Sequence, residues 1–522
     1  MSQATQLFDV IVIGLGPVGS LASILFSHAG LTVACIEQEP QVYTLPRAVN
    51  LDAEILRALQ PSDLAEAVDD LLQTVRPGER AGFANSKREW LFGNEARPFG
   101  SGGWQTMSMF DQPELETFLR NTALQHPLTS DYVGWTAQHP VEESADTVTV
   151  TITSGNDRRT LSGRYLVACD GAASPTRKAL QIGWQDLGYD HDWLVVDVTT
   201  KPGHTLGLDT VQVCDPERIS TYVCTKDPYR RWEFKLNPGE TWEEMLEPEN
   251  IYELIDPWTP RGTYEIRRAA VYQFHAATAS TWQVGRQLLA GDAAHQSPPF
   301  LGQGMNTGMR DVINLAWKLP LIISGKAVPE LLQSYQQERL AHAHDLVEWA
   351  VSIGRLMEHL AAVEAAQRDG SPPPEMDPHL QHSGYGQGRG MPPLRAGVIM
   401  TEQTSHTAIN GFQLNQPIVR PAGQNSIRMD NLLGPGFCLV TSSKDDLVLS
   451  ARSRKLCERL NIAHLSLEGL AVEQGRIDRA FEHTQTILVR PDRYIFGHTD
   501  STTSIDDLLD ALASKLHLSS EG

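Results

Sequence analysis

Cysteine is scarce in this sequence. Six residues (Cys35, Cys169, Cys214, Cys224, Cys438 and Cys457) are spread over 522, and no two form a C-x-x-C pair. That spacing argues against a disulfide framework and against a zinc site. Long apolar runs are also missing; none approaches the ~20 residues that a membrane-spanning helix needs. The first apolar run, Val10 to Ile13, sits against glycines and follows no basic segment, unlike a secretion signal. A cytoplasmic protein without a membrane partner is expected. Basic charge is short too. The chain has 43 Lys and Arg against 64 Asp and Glu, a net charge of −21. A phosphate backbone is held by clustered cations, so nucleic acid is a poor partner and the acidity reads as solubility. With 41% hydrophobic and 20% charged residues the chain is a folded one. At roughly 100–200 residues per domain, its length allows two to four domains.

What is present starts with strand, glycine turn, helix and strand. Phe8 to Ile13 is apolar and β-branched, Gly14-Leu-Gly16-Pro17-Val18-Gly19 follows, and Leu21 to Gly30 has helical spacing. Leu31 to Ile36 is the second strand and ends at Glu37-Gln38. In such a βαβ unit Gly14 permits the tight turn, Gly16 lets backbone N–H groups approach a pyrophosphate, and Gly19 allows close helix–strand packing. Glu37 stands where a carboxylate accepts hydrogen bonds from an adenosine ribose. The motif alone does not separate FAD from NAD.

Two further turns follow buried strands. Tyr165 to Cys169 runs into Asp170-Gly171, with Ser174 as N-cap of a short helix that carries Arg177. Gln287 to Ala290 runs into Gly291-Asp292-Ala-Ala-His295 and then Pro298-Pro299-Phe-Leu-Gly302-Gln-Gly304-Met305-Asn306. A carboxylate at Asp292 suits ribityl hydroxyls. The helix starting near Met305 would turn its positive end toward the anionic N1/C2=O edge of a reduced flavin.

In this order the three motifs resemble the class A flavoprotein aromatic hydroxylases of the para-hydroxybenzoate hydroxylase fold, over about residues 7 to 365. The branch most similar is that of 3-(3-hydroxyphenyl)propionate hydroxylase, through Arg231-Trp-Glu-Phe-x-Leu-x-Pro-Gly239-Glu240 and Gly302 to Lys318. The resemblance implies an α/β protein: a Rossmann-like FAD-binding domain interleaved with a mostly antiparallel β-sheet substrate domain, plus a thioredoxin-like C-terminal domain. It implies FAD as cofactor, NADH or NADPH as co-substrate, and O2 and a small phenol as reactants. Oxygen would pass from a C4a-hydroperoxyflavin to the ring, converting 3-(3-hydroxyphenyl)propionate and 3-hydroxycinnamate to catechols. The same chemistry on a polyketide or other phenol, and a flavin oxidoreductase without oxygen insertion, stay open. Arg47, in Leu45-Pro-Arg47-Ala, and Gln112 and Arg120, in Met109-Phe-Asp-Gln112 to Arg120, match flavin-contacting positions. Asp170, Gly171, Asp292 and Pro299 are cofactor-binding by the same resemblance.

The substrate side is less determined. His295, Pro298 and Tyr272 are the candidate catalytic residues. Tyr222, His275 and Arg231 are alternatives for activating a phenol or anchoring a propionate. His342 and His344 read as surface residues of a helix. The organisation expected is a first FAD-binding part at 1–180, a substrate sheet at 181–285 and a second FAD-binding part with long helices at 286–368, broken near Pro320 and Gly325. A Pro/Gly-rich linker at 369–396 and the C-terminal domain at 397–522 follow. Without a C-x-x-C pair that last domain is read as structural or oligomeric, a homodimer being one arrangement left open.

Overall fold

A computed structural model describes residues 6–376, 380, 391–401 and 409–518. The chain opens with strand β1 (Leu7–Ile13), helix α1 (Pro17–His28) and strand β2 (Val33–Glu37). Val10 to Val12 and Val33 to Cys35 are fully buried, as strands covered on both faces must be. Pro17 takes the first turn of α1, where its missing N–H costs no hydrogen bond. After β3 (Asn50–Asp52) the chain makes β4 (Arg80–Ala84) and β5 (Trp90–Glu95), then returns through α2 (Gln112–Gln125) to β6 (Thr129–Val133). A hairpin of β7 (Val148–Ser154) and β8 (Asp157–Ala168) follows.

In the first sheet β1 pairs in parallel with β2 and β8, and β2 with β6. The next long segment builds a second sheet from β9 (Trp184–Thr200), β10 (Thr210–Val213), β11 (Ser220–Val223), β12 (Tyr229–Lys235) and β13 (Tyr264–Ala279). The chain then returns to the first sheet as β14 (Gln287–Leu289), parallel to β8. Register decides where the motifs meet: Ile13 lies beside Ala168, and Ala168 beside Leu289. The three glycine turns therefore leave the carboxyl ends of three adjacent parallel strands, the place where open α/β sheets bind ligands.

The second sheet runs β13, β9, β12, β11, β10, β4, β5, with His295–Gln296 at its near edge. Two of its strands are long, β9 with 17 residues and β13 with 16. It also takes in β4 and β5 from within the stretch assigned to the first FAD-binding part. β12 alternates strictly. Trp232 and Phe234 pack with Leu194, Val196 and Tyr222 on one face, while Arg231 and Glu233 face the other.

Two helices, α3 (Gly304–Ile323) and α4 (Gln333–Asp369), fill the expected helical stretch. The break falls at 324–332, and Pro320 lies inside the last turn of α3 rather than ending it. His342 is not at the surface: it is 2% exposed on the inner side of α4. Residues 371–376 form no regular element, and the Gly384 to Gly390 segment lies outside the described residues. Beyond it β15 (Cys438–Thr441), α5 (Ala451–Leu460), β16 (Ala463–Ser466), β17 (Thr486–Val489), β18 (Ile495–His498) and α6 (Ile505–Lys515) form a β-α-β unit followed by β-β-α. The strand order is β16, β15, β17, β18, the thioredoxin-like arrangement expected. This domain is tied to the first by buried ions. Arg57 donates to both oxygens of Asp430, at 2.5 and 2.8 Å.

Candidate active site

The first turn divides its glycines between packing and access. A Cβ on Gly14 (φ +91°) would stand 2.5 Å from the Cys169 carbonyl oxygen, and one on Gly19 would stand 1.8 Å from that of Gly14. A Cβ on Gly16 would meet nothing within 4 Å. Gly14 and Gly19 thus let the three strand ends and α1 close up, and Gly16 leaves an open approach. Gly16, Pro17 and Val18 form one end of a cavity of about 850 Å³. The start of α3 also lines it, with Gly302, Gly304 and Met305 on the wall. Two helix N-termini, each with unsatisfied N–H groups, thus open on one space.

The start of α3 is held from below. Asn306 accepts the Asp52 N–H at 3.0 Å and donates to the carbonyls of Asn50 and Gly302 at 3.2 and 3.0 Å. A Cβ on Gly308 would lie 2.7 Å from Gly291 Cα and 2.8 Å from Val18 Cγ2, so α3, α1 and the Gly291 turn meet at van der Waals limits.

Glu37 ends β2 as expected. Its two oxygens accept the backbone N–H groups of Leu15 at 2.6 Å and Glu39 at 2.8 Å, and each keeps a lone pair for a ligand hydroxyl. Gln38 follows it, exposed. Arg120 lies 3.9 Å from Glu37 and donates to the carbonyls of Leu15 and Glu39. Gln112 on the wall uses its amide oxygen to accept the N–H groups of Arg47 and Ala48, at 2.9 and 2.7 Å. The Arg47 side chain is exposed and reaches the cavity.

Asp170 is spent within its own turn, accepting from the Ser174 hydroxyl at 2.5 Å and the Thr176 N–H at 3.0 Å. Ser174 caps the short helix, accepting the Arg177 N–H at 2.9 Å. Arg177 donates to the Ala172 carbonyl at 3.0 Å and the Ala293 carbonyl at 3.4 Å, joining the second turn to the third. Gly171 and Gly291 reach the wall. Asp292 opens onto the cavity with no hydrogen-bond partner among the described residues. Its enclosure by protein raises its carboxyl pKa, against the pull of His295 and Arg47.

Of the three catalytic candidates, the geometry brings one to the cavity. Tyr272 of β13 lines it, with the Arg268 guanidinium 4.9 Å from its ring centre. His295 is 1% exposed and does not line it. Its Nε2 pairs with Asp311 at 2.9 Å, and the same Asp311 oxygen accepts the Gly291 N–H at 3.0 Å. Pro298 is buried behind Pro299, which does line it. Tyr222 is turned away into the far face of the sheet, its hydroxyl on the Gly207 carbonyl at 2.9 Å. His275 is on the wall but bound to Asp190. Arg231 is also on the wall, yet already engaged. It pairs with Asp197 at 2.7 Å and donates to the carbonyls of Arg47 and Pro46 at 2.7 and 3.1 Å. Arg268 donates to the Pro46 carbonyl as well.

Sequence reasoning passed over Glu233. It lies two residues after Arg231, 4% exposed, with its carboxylate toward the cavity. Burial raises its pKa to about 7; Arg231 and Arg268 oppose the rise and Asp197 adds to it. The signal was present in the alternation of Arg231-Trp-Glu-Phe-Lys235. Charged residues at every second position of a strand buried between neighbours require a polar space on that side.

The chain was also compared with known proteins. The profile described as FAD binding domain matches residues 7–350, and that described as HcaD C-terminal domain matches 411–515. A 3-(3-hydroxy-phenyl)propionate/3-hydroxycinnamic acid hydroxylase of Burkholderia vietnamiensis is 31% identical, with 94% of each chain covered. One from Klebsiella pneumoniae is 33% identical over 83% of this chain and 77% of its own length. Among solved structures, aklavinone-11 hydroxylase with FAD and aklavinone superposes with a TM-score of 0.78 at 22% identity, covering 98% of this chain and 100% of that one. The flavin-dependent monooxygenase PieE gives 0.78 at 19% identity, covering 98% and 99%. The site suits such a dinucleotide. Glycines clear one wall, the two helix ends offer N–H groups to anionic portions, and Glu37 and Asp292 offer free lone pairs to sugar and ribityl hydroxyls.

Proposed function

The chain belongs to the FAD-binding family of aromatic hydroxylases, and from that premise we propose that it is a single-component monooxygenase of 3-(3-hydroxyphenyl)propionate and 3-hydroxycinnamate. NADH or NADPH and O2 are the co-substrates, and catechols are the products. One observation carries the reading: a single cavity joins both helix N-termini to the polar face of the second sheet. Cofactor and substrate would share it without a second nucleotide domain.

Bound FAD would pass electrons from NAD(P)H to O2, the source of the oxygen atom delivered to the ring. The chain supplies position, dryness and charge. Gly16 and the first N–H groups of α1 hold the pyrophosphate, Glu37 the ribose and Asp292 the ribityl chain. Arg47, fixed by Gln112, faces the anionic portions. The α3 N-terminus would offer its positive end to an anionic portion of the flavin. Pro299 and Phe300 give the cavity an apolar wall; excluding water there would protect the activated oxygen. Tyr272 hydrogen-bonds the substrate. His295 acts as a positioning residue, holding the Gly291 turn to α3 through Asp311, and Pro298 sets the backbone entering the turn.

The test is NADH and NADPH oxidation by the FAD-loaded protein under air, with and without 3-(3-hydroxyphenyl)propionate, and products identified by mass. Stimulation with a product 16 Da heavier is the expected result. Stimulation that yields only H2O2 makes the compound an effector and refutes it as substrate. No stimulation by this compound, with turnover of a bulkier phenol, moves the substrate to the polyketide class.

A further inference from the structure

Glu233 sits at the centre of the second sheet, on the face that looks into the cavity. Its neighbours in register are Thr221 of β11 and Val195 of β9, both on the same wall. The Thr221 hydroxyl donates to the Gln212 amide oxygen at 2.5 Å and so does not serve Glu233. The nearest cation is Arg231 Nη1, at 3.9 Å, beyond hydrogen-bond distance. A carboxylate more than nine-tenths buried therefore opens on the cavity without a hydrogen-bond donor among the described residues. Buried carboxylates are otherwise hydrogen-bonded. A ligand hydroxyl in the cavity can supply that donor.

Charge around it points the same way. Arg231 of its own strand and Arg268 of β13 both lean on Asp197 of β9, at 2.7 and 3.4 Å. One aspartate balances one arginine, and ionised Glu233 balances the other. The other ionisable groups on the wall are Tyr272 and His275 of β13, Arg47, Asp52, Cys169 and Asp292; His275 is bound to Asp190 and Asp52 to Arg310.

We propose that Glu233 receives the hydrogen bond of the substrate's phenolic hydroxyl and takes its proton as the ring is attacked. The inference rests on the phenolic reading above. The O–H bond of the phenol breaks, a carboxyl O–H bond forms on Glu233, and the electron pair stays on the phenolic oxygen and spreads into the ring. Net charge does not change. The negative charge moves from Glu233 to the substrate, which becomes the second counter-ion of Arg231. A carboxylate poised near neutrality suits that exchange, because it is ionised at working pH without being a weak base. The proton returns to the product hydroxyl. Oxygen and its electrons come from O2 and NAD(P)H through the bound flavin.

The test uses FAD-loaded, oxidised enzyme without NAD(P)H. Binding of 3-hydroxycinnamate and of cinnamate, which lacks the hydroxyl, is read from the flavin absorption spectrum between pH 5.5 and 8.5. Wild type should prefer the hydroxylated ligand by about tenfold or more at high pH, the worth of a hydrogen bond to a charged group. The preference should shrink as pH falls through about 7. In Glu233→Gln it should be small and independent of pH. In turnover, Glu233→Gln should lose about 10²-fold or more in kcat with KM changed a few-fold, and Glu233→Asp should restore part of it. Equal, pH-independent preference in wild type and Glu233→Gln would overturn the proposal. Glu233→Asp, which keeps the carboxylate, and His275→Gln, which removes the other group on the wall that titrates in this range, carry the comparison if Glu233→Gln misfolds: the pH-dependent preference should persist in both, and its loss in His275→Gln alone would overturn the proposal. A wild type that turns over a phenol while Glu233→Gln keeps its rate and pH profile overturns the role of Glu233 alone. A wild type that neither binds nor oxidises any phenol overturns the phenolic reading with it.

Discussion

Replacing Glu338 by glutamine should cost this protein about 3 kcal/mol at neutral pH, and the cost should fade in acid. Glu338 is 1% exposed on α4. One carboxylate oxygen accepts from Asn314 Nδ2 at 2.6 Å, Arg490 Nη2 at 2.8 Å and Lys318 Nζ at 3.0 Å. The other accepts the Val398 N–H at 2.7 Å. Arg490 also pairs with Asp492 at 2.6 Å, which accepts the Trp317 indole N–H at 3.0 Å. Two cations and two anions from α3, α4 and the C-terminal domain thus neutralise one another in a buried cluster. Burial alone would raise the Glu338 carboxyl, but Arg490 and Lys318 outweigh it and hold the pKa at about 2 instead of 4.5. At about 1.4 kcal/mol per pH unit, that difference is worth about 3 kcal/mol. It lies within the roughly 3–5 kcal/mol seen when one partner of a buried pair is removed. The folded pKa is below the unfolded one, so the stabilisation is complete above pH 4.5 and is lost as pH falls toward 2. Urea unfolding of wild type and Glu338→Gln at pH 7.5 and pH 4 measures both quantities. The gap should narrow by roughly 1 kcal/mol at pH 4. A gap below about 1 kcal/mol at pH 7.5, or one that is the same at both pH values, refutes the reasoning.

Three other outcomes follow from the site. Gly308→Ala drives a methyl group into Gly291 and Val18; it should cost about 1–3 kcal/mol in urea unfolding and weaken FAD retention on gel filtration. Gln112→Ala leaves the N–H groups of Arg47 and Ala48 without their acceptor. It should cost about 1–3 kcal/mol, and a fluorescence titration should show weaker FAD binding. His295→Gln removes the imidazole from Asp311; a lower melting temperature with kcat within a few-fold of wild type is the positioning outcome, whereas a loss of about 10²-fold or more with unchanged stability would make the imidazole a catalytic base.

The cofactor end of the site was legible because its parts are local. Gly14, Gly16 and Gly19 follow a strand within six positions, and Glu37 ends the next strand. Turn chemistry and periodicity determine such units before any long-range contact forms. The Asp170 and Gly291 turns are local in the same way, and parallel pairing of their strands with β1 brings all three to one edge. The substrate end was not legible. Glu233 becomes a candidate only when β9, β11 and β13 close around it and leave its carboxylate without a donor. Arg231 changes from an anchor to an internal tie once it meets carbonyls 184 and 185 positions earlier. His342 looks solvated on a long polar helix until packing buries it. The seam to the C-terminal domain is more distant still, with Arg57 and Asp430 separated by 373 residues. Short-range spacing thus determined the nucleotide-binding turns and, through the family resemblance those turns carry, the fold class. Which side chains face the cavity, which are desolvated and which are already paired was decided only in the tertiary structure. Burial and electrostatic partnership depend on residues far apart in the chain and carry no local signature.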